Sequence, residues 1–419
     1  MDRNPEYGHV TVTWKDYTII WGGVRFDPSF VYYHLCGEWV WQKTSGDVPI
    51  STNIYGDVFK SCVYDTAVVN QDTMIVMGAK NHNASYVHIL DLKTWNWTKI
   101  TPKGTPPLKG SRACSSWLYK GKMYCFGGTN WVYEKDLSLY PSYLKTSDGT
   151  QGQYSNQLFC FNITTQCWEW PNIRGDVPQP RAWHSTVINE STIFLFGGSA
   201  HSEEGEEINL NDLHTLDMSN LRWKLVHGPA YDSSTFRVPS AREGQSLTWI
   251  SQSAAILFGG LGVLWEWSGR LGDCWLLHLN QAEKSNDLST IWTRIKTNNL
   301  QKRFVHTAVL EPLSQRLWLM GGAHCSKKLE KITTNVVPLK VLAMECIVGK
   351  MKSDDPMLNA APKMLKKDIE AYRSSFDPES DLALPTTSED EDLGNCTADA
   401  VLEIAAELLF LFLLPIFRI

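Results

Sequence analysis

One short word recurs six times along this chain, an apolar strand that ends in Gly-Gly or a degenerate form of it. The copies are TIIWGG at Gly22 and Gly23, MIVMGA at Gly78, MYCFGG at Gly127 and Gly128, IFLFGG at Gly197 and Gly198, AILFGG at Gly259 and Gly260, and LWLMGG at Gly321 and Gly322. Successive first glycines stand 49 to 70 residues apart. A period of that size requires each unit to be one supersecondary module that completes its core against its neighbours.

Each of the first five units carries a second word, a tryptophan that opens or ends an outer strand: Trp41, Trp97, Trp170, Trp223 and Trp292. Between glycine and tryptophan lies an apolar strand ending in Asp or Asn, as in VHILD, LFCFN and LHTLD. A unit of several short strands cannot bury both of its faces alone, and radial stacking around an axis supplies a neighbour on each side. The next unit opens on a Gly/Pro-rich turn, then Arg, then often His: RGDVPQPRAWHSTV is the full form, KGTPPLKGSRACSS and QKRFVHTAV partial ones. Paired glycines permit close backbone approach near the axis. Aromatic side chains fill the widening space between blades, which accounts for much of a total of 18 Trp.

Hydrophobic run, Gly-Gly, apolar-Asp strand and Trp strand, in that order and six times over, resemble kelch repeats across residues 7–341. The resemblance implies an all-β fold, a six-bladed kelch β-propeller with four strands per blade. Two departures stand out. Ala79 replaces the second glycine of unit two, and unit six has VHTAVL, LWLMGG and a candidate third strand in NVVPLKV but no Trp strand, so either the other terminus completes it or it is incomplete.

A different periodicity follows. In PLKVLAMECIV, Leu339, Leu342, Ala343, Cys346 and Ile347 are spaced as one apolar face of a helix, although residues 338–341 are equally suited to a strand of blade six. Asp355 and Pro356 then open a second helical run containing Leu365, Ile369 and Tyr372. The first run is similar to an Elongin C-binding box. The second resembles a cullin-contacting box at Pro362, Lys363 and Leu365, with Ala361 where that box has leucine. Together with the repeats, residues 7–373 resemble the kelch-domain-containing substrate receptors of cullin-2 RING ubiquitin ligases. That resemblance implies a non-catalytic chain that binds substrate C-terminal peptides on one propeller face. Its helical region, residues 338–373, would engage Elongin B/C and cullin-2. The alternative is a kelch-repeat interaction scaffold without ligase coupling.

In such propellers, substrate contacts come from the loops after Gly-Gly and before Arg. The second set offers Arg112, Arg181, Arg242 and Arg303, a set of guanidiniums suited to a carboxylate; the same arginines would equally serve to tie loops to neighbouring blades. The first set offers Trp131, Tyr133, Trp265 and Trp267 as peptide anchors. An insertion from 129 to about 154 is long enough to wall a pocket. Receptors that read a terminal glycine carry arginines before the Asn-Asp of blade four, whereas this chain has GGSAHSEEGEEINLNDL, and Glu243 follows Arg242. Four carboxylates there, Glu203, Glu204, Glu206 and Glu207, would favour basic residues near the substrate terminus or else form a solvated loop.

A net charge of -6 and a pI near 6.0 lack the basic footprint of nucleic-acid binding. Ten cysteines without a CxxC pair, and an N-terminus without the charged-then-apolar order of a secretory signal, point to a reduced compartment, cytoplasm or nucleus. No Walker loop, zinc spacing, nucleophile elbow, GxGxxG or HExxH is present; no catalytic residue, cofactor or metal is expected. Residues 374–400 read as a disordered acidic linker. The apolar tail, 401–419, holds only ten consecutive apolar residues, short of a spanning helix, so membrane association is not expected although the tail leaves it open.

Overall fold

The six apolar words become the second strands of six antiparallel blades. The computed structural model describes residues 7–24, 27–35, 38–49, 51–52, 58–59, 66–77, 86–107, 113–132, 151–228, 238–264, 267–281, 288–297, 300–311, 316–325 and 329–333. They fall in a propeller unit, residues 1–35 and 39–336; of a second unit, 36–38 and 337–419, only Glu38 is described. From the axis outwards, blade one is His9–Trp14, Tyr17–Gly22, Phe30–Leu35 and Glu38–Lys43. Blade two is Thr66–Asn70, Thr73–Met77, Val87–Asp91 and Asn96–Ile100. Blade three is Ser115–Tyr119, Lys122–Phe126, Leu158–Asn162 and Cys167–Glu169. Blade four is Ser185–Asn189, Thr192–His201, Glu207–Asp217 and Arg222–His227. Blade five is Ser246–Trp249, Ala254–Phe258, Cys274–Gln281 and Leu288–Ile295. Blade six shows Thr307–Leu310, Arg316–Met320 and Leu329–Thr333.

The third strands end where they do because an Asp or Asn side chain folds back on the chain. Asp91 Oδ1 accepts from the backbone N–H of Lys93 and Thr94, and Asn162 Oδ1 from Thr164 and Thr165, an Asx turn that reverses direction into the fourth strand. A tryptophan of the fourth strand, second in Asn96–Ile100 and Arg222–His227 and fifth in Leu288–Ile295, then packs against the large residue that precedes the Gly-Gly of the preceding blade. Trp97 lies 5.2 Å from Trp21, Trp223 4.8 Å from Phe126, and Trp292 5.1 Å from Phe196, ring centre to ring centre. The two words of the repeat are thus the two halves of one blade-to-blade contact. In blade three this place belongs to Trp168, which is buried; Trp170, expected there, follows the strand and is 39% exposed.

The Gly/Pro-rich turns cover the outer rim. Ser45–Gly46 runs parallel to Asn96 and Trp97 of blade two, and Arg174–Gly175 to Arg222 and Trp223 of blade four, which pairs the strand edges that would otherwise be open. A Cβ on Gly175, at φ +85°, would stand 2.2 Å from the Trp223 carbonyl oxygen, so only glycine fits.

Each innermost strand packs against the next, and that of blade six packs against blade one. At this seam Thr307 Oγ1 lies 2.5 Å from Thr11 Oγ1 and 2.8 Å from His9 Nε2, while Val10, Trp21, Tyr32, Val309 and Met320 share one core. The third strand of blade six is Leu329–Thr333, so NVVPLKV is not that strand; residues 338–341 lie further along, and the whole C-terminal helical region (338–373), with Leu339, Leu342, Ala343, Cys346, Ile347, Pro362, Lys363 and Leu365, lies outside the described residues. Among the described residues no helix is long and apolar enough to cross a membrane.

Candidate functional site

The Gly-Gly turns and the Arg-containing words meet at one end of the blades. The second glycine N–H of one blade donates to the arginine carbonyl of the next: Gly128 to Arg181, Gly198 to Arg242 and Gly260 to Arg303, each at 2.9 Å. Two residues after the arginine the backbone turns left-handed, at Trp183 (φ 58°), Gly244 (φ 61°) and Val305 (φ 54°). These residues link the blades in sequence: Trp183 N–H donates to Ala113, Gly244 to Trp183 and Val305 to Gly244. The imidazole that follows bridges blades as well, with His184 Nε2 2.8 Å from Ser115 Oγ and His306 Nε2 2.9 Å from Ser246 Oγ. In blade five Gln245 takes this place and donates to Ser185 Oγ. Burial holds the His9 and His184 imidazoles down to about 3, and His306 well below its ordinary value, so all three are neutral.

Arg181, Arg242 and Arg303 do not form an open ring of guanidiniums. All three are fully buried (0% exposed), and each grips an acid in the third strand of its own blade or immediately before it. Arg181 forks onto Asp212 at 2.6 and 2.8 Å, Arg242 onto Asp273 at 2.8 and 2.9 Å, and Arg303 pairs with Glu330. Each also donates to the carbonyl of the first glycine of its blade, Gly197, Gly259 or Gly321. The expectation that these arginines receive a substrate carboxylate is therefore corrected: the carboxylate is the protein's own, and a buried guanidinium committed to that acid and to backbone carbonyls is closed to a ligand. Burial alone would raise the Asp273 carboxyl, yet the paired Arg242 holds it below the ordinary value. Counted back from Ser115, the place of Arg181 in blade three is Ser111, and the imidazole place is Cys114. Arg112 itself lies outside the described residues.

Above this sealed layer three hairpins rise from consecutive blades. Blade three raises Thr129–Val132 against Gln151–Tyr154, blade five raises Leu261–Leu264 against Trp267–Arg270, and blade four extends its second and third strands, with Ser199 opposite Asn209 and His201 opposite Glu207. Side chains tie them into a crown. Tyr154 Oη donates to Glu207 Oε1 at 2.5 Å, Asn209 Nδ2 to the Leu261 carbonyl at 3.2 Å, and Arg270 Nη1 to the His324 carbonyl of blade six at 2.7 Å. The Tyr154 and His201 rings stand 4.8 Å apart. Burial raises the Glu243 carboxyl, and the neighbouring Glu207 carboxylate adds to that rise. Trp131 falls on the outgoing arm of the blade-three hairpin and Trp267 on the returning arm of the blade-five hairpin; Tyr133 and Trp265 lie outside the described residues.

Sequence reading anticipated hairpin loops from blades three to five but not Tyr154, Ser199, Asn209, Glu243 or Arg270 as their ties. The available signal was the strand alternation that continues beyond Gly198, through Ser199 and His201, and returns through Glu207 and Asn209. Of the four acids in the blade-four loop, Glu203, Glu204 and Glu206 sit at the hairpin turn and Glu207 begins the returning strand.

Residues 142–345 match the sequence model of the KLHDC2/KLHL20/DRC7 Kelch-repeats domain. The chain is 24% identical over 334 residues to Kelch domain-containing protein 2 of Bos taurus, covering 74% of this chain and 71% of that protein. It is 25% identical over 336 residues to Kelch domain-containing protein 1 of Homo sapiens, again covering 74% and 71%. Among solved structures, that of YjhT superposes with a TM-score of 0.55 over 78% of this chain and 94% of YjhT, at 17% identity, a likeness of fold alone. The repeating words within residues 142–345 are thus of the kelch type, and the six blades together build a β-propeller.

Proposed function

We propose that this chain is the recognition subunit of a cullin-RING ubiquitin ligase, binding peptide segments of other proteins on its crown. The observation that carries the recognition half is the crown itself. Loops are where propellers bind, and here hairpins from three consecutive blades are held blade to blade by Tyr154–Glu207, Asn209–Leu261 and Arg270–His324 contacts. A surface so pre-organised loses little conformational freedom on binding. Chain ends are the segment type that the sequence resemblance brings to this reading, and since Arg181, Arg242 and Arg303 are occupied, other groups would hold a terminal carboxylate. The chain supplies no catalysis; ubiquitin transfer belongs to partner subunits.

The coupling half rests on sequence: Leu339, Leu342, Ala343, Cys346 and Ile347 form the apolar stripe offered to Elongin B/C, and Pro362, Lys363 and Leu365 the one offered to cullin-2, in the manner of a helix laid in a groove. The test is co-elution of the full chain with Elongin B and C, repeated with Leu339→Ala and Leu342→Ala. A complex that both substitutions abolish supports the reading. Absence of a complex with the unsubstituted chain leaves the second reading, a kelch interaction scaffold without ligase coupling, which the same crown would serve.

A further inference from the structure

The crown contains one place where hydrogen-bond acceptors outnumber donors. Ser199, only 1% exposed, follows Gly198 directly, and its Oγ lies 3.4 Å from Glu207 Oε1 and 3.5 Å from Asn209 Oδ1. The backbone of Glu243 pairs with Leu261, the residue to which Asn209 also bonds, which brings a second carboxylate beside Glu207. One hydroxyl proton cannot serve both Glu207 and Asn209, and none is left for Glu243. The neighbouring donors are committed elsewhere: Tyr154 Oη gives its proton to Glu207, and Asn209 Nδ2 is turned to the Leu261 carbonyl, which fixes its oxygen towards Ser199. Among the described residues no lysine or arginine pairs with Glu207 or Glu243. Arg242, which precedes Glu243 in the chain, is spent on Asp273, and Arg181 on Asp212.

We infer that this place, between Tyr154, Ser199, Glu207 and Glu243, receives a lysine or arginine side chain of the bound peptide, an inference that rests on the peptide-binding reading of the crown. An ammonium or guanidinium brings several donors and a positive charge to two carboxylates and an amide oxygen that share too few donors and have no counter-charge. The Tyr154 and His201 rings, 4.8 Å apart, offer an aromatic wall for the aliphatic stem. Glu203, Glu204 and Glu206 at the hairpin turn add a negative field that draws a basic segment in. Burial raises the Glu243 carboxyl and the Glu207 carboxylate adds to that rise, so a cation placed between them relieves both.

The experiment uses the full chain and two pools of fluorescent decapeptides with free C-termini, randomised alike except that one pool contains lysine and arginine and the other replaces both by alanine. Binding to each pool is read by anisotropy at low and high salt, for the unsubstituted chain and for the isosteric double substitution Glu207→Gln with Glu243→Gln, whose folding is checked by its melting temperature. The expected result is a preference of about tenfold or more for the basic pool, about 1.4 kcal/mol, weakened by salt and abolished in the double variant. Equal binding of both pools, or a basic preference that the double variant keeps, overturns the inference and leaves the peptide-binding reading standing. Failure of both pools to bind overturns the reading and the inference together.

Discussion

Arg242 lays both arms of its guanidinium on the carboxylate of Asp273, Nη1 to Oδ1 at 2.8 Å and Nη2 to Oδ2 at 2.9 Å, with the arginine side chain fully buried. The same fork joins Arg181 to Asp212. In each case the acid stands 31 residues after the arginine, in the third strand of the blade that the arginine introduces or immediately before it. The pair fastens the loop between blades to the blade it introduces, and the glycine carbonyl that the arginine also reaches, Gly197 or Gly259, adds the second strand to the knot.

Breaking such a pair on one side leaves a buried charge without compensation. Asp273→Asn is expected to lower stability by about 3–5 kcal/mol, read as the midpoint of urea denaturation. The double substitution Arg242→Leu with Asp273→Leu is expected to cost less than Asp273→Asn alone, because nothing charged remains in the site. A double variant as unstable as the sum of its parts would show that the arginine acts through packing and not through the ion pair.

Acid should unfold this propeller early. His9 and His184 are held down to about 3 by burial and His306 well below its usual value, while in the unfolded chain each titrates near 6.5. The unfolded state therefore takes up protons that the native state refuses. Stability is complete above about pH 6.5 and is lost progressively as pH falls towards 3, by roughly 2 kcal/mol per histidine at pH 5. His184→Gln copies Gln245 of blade five, which fills the same place. Its melting temperature should match the unsubstituted chain more closely at pH 5 than at pH 7, with the slope against pH reduced by about one proton.

The rim makes a separate demand on glycine. A Cβ at Gly175 would stand 2.2 Å from the Trp223 carbonyl oxygen at a positive φ, so Gly175→Ala must push the edge segment away from the outer strand of blade four. A loss of about 2 kcal/mol or more is expected, along with faster hydrogen exchange at Asp176, whose N–H bonds to that carbonyl. Gly205→Ala, at a hairpin turn where a Cβ would meet nothing within 4 Å, serves as the control and should cost only the strain of its φ.

Closure of the ring depends on the seam between the first and last blades. There His34 Nδ1 of blade one lies 3.0 Å from Glu311 Oε1, and Trp318 Nε1 donates to Glu311 Oε2 at 3.2 Å, with His34 and Glu311 buried and Trp318 half-buried. Glu311→Ala takes the acceptor from the Trp318 indole and the carboxylate from beside the buried His34 imidazole, and a cost of about 1–3 kcal/mol is expected. Limited proteolysis should then cut within blades one and six before the other blades. Cleavage spread evenly around the ring would show that the seam is no weaker than any other blade contact.

Much of this molecule was legible in residue order. Glycine pairs before a change of strand, Asp or Asn at the end of the third strand and tryptophan in the fourth are local demands of backbone conformation and side-chain volume, so they recur in sequence wherever they recur in space. Trp170 shows the limit: both it and Trp168 satisfy the spacing, and the strand ending at Glu169 buries Trp168.

The sequence by itself determined the number of blades, their phase and the loops that would rise from one face, because those follow from period and turn chemistry. Only the tertiary structure decided what the charged groups do. Arg181, Arg242 and Arg303 look alike in sequence whether open to a ligand or sealed on Asp212, Asp273 and Glu330, since the choice depends on which acid the return of the third strand brings beneath them. The same holds for Tyr154 and Glu207, 53 residues apart along the chain and bonded only because adjacent blades stand their hairpins side by side. A contact such as this one, made between hairpins of neighbouring blades, is set by the radial packing of whole sheets, and no local spacing encodes it.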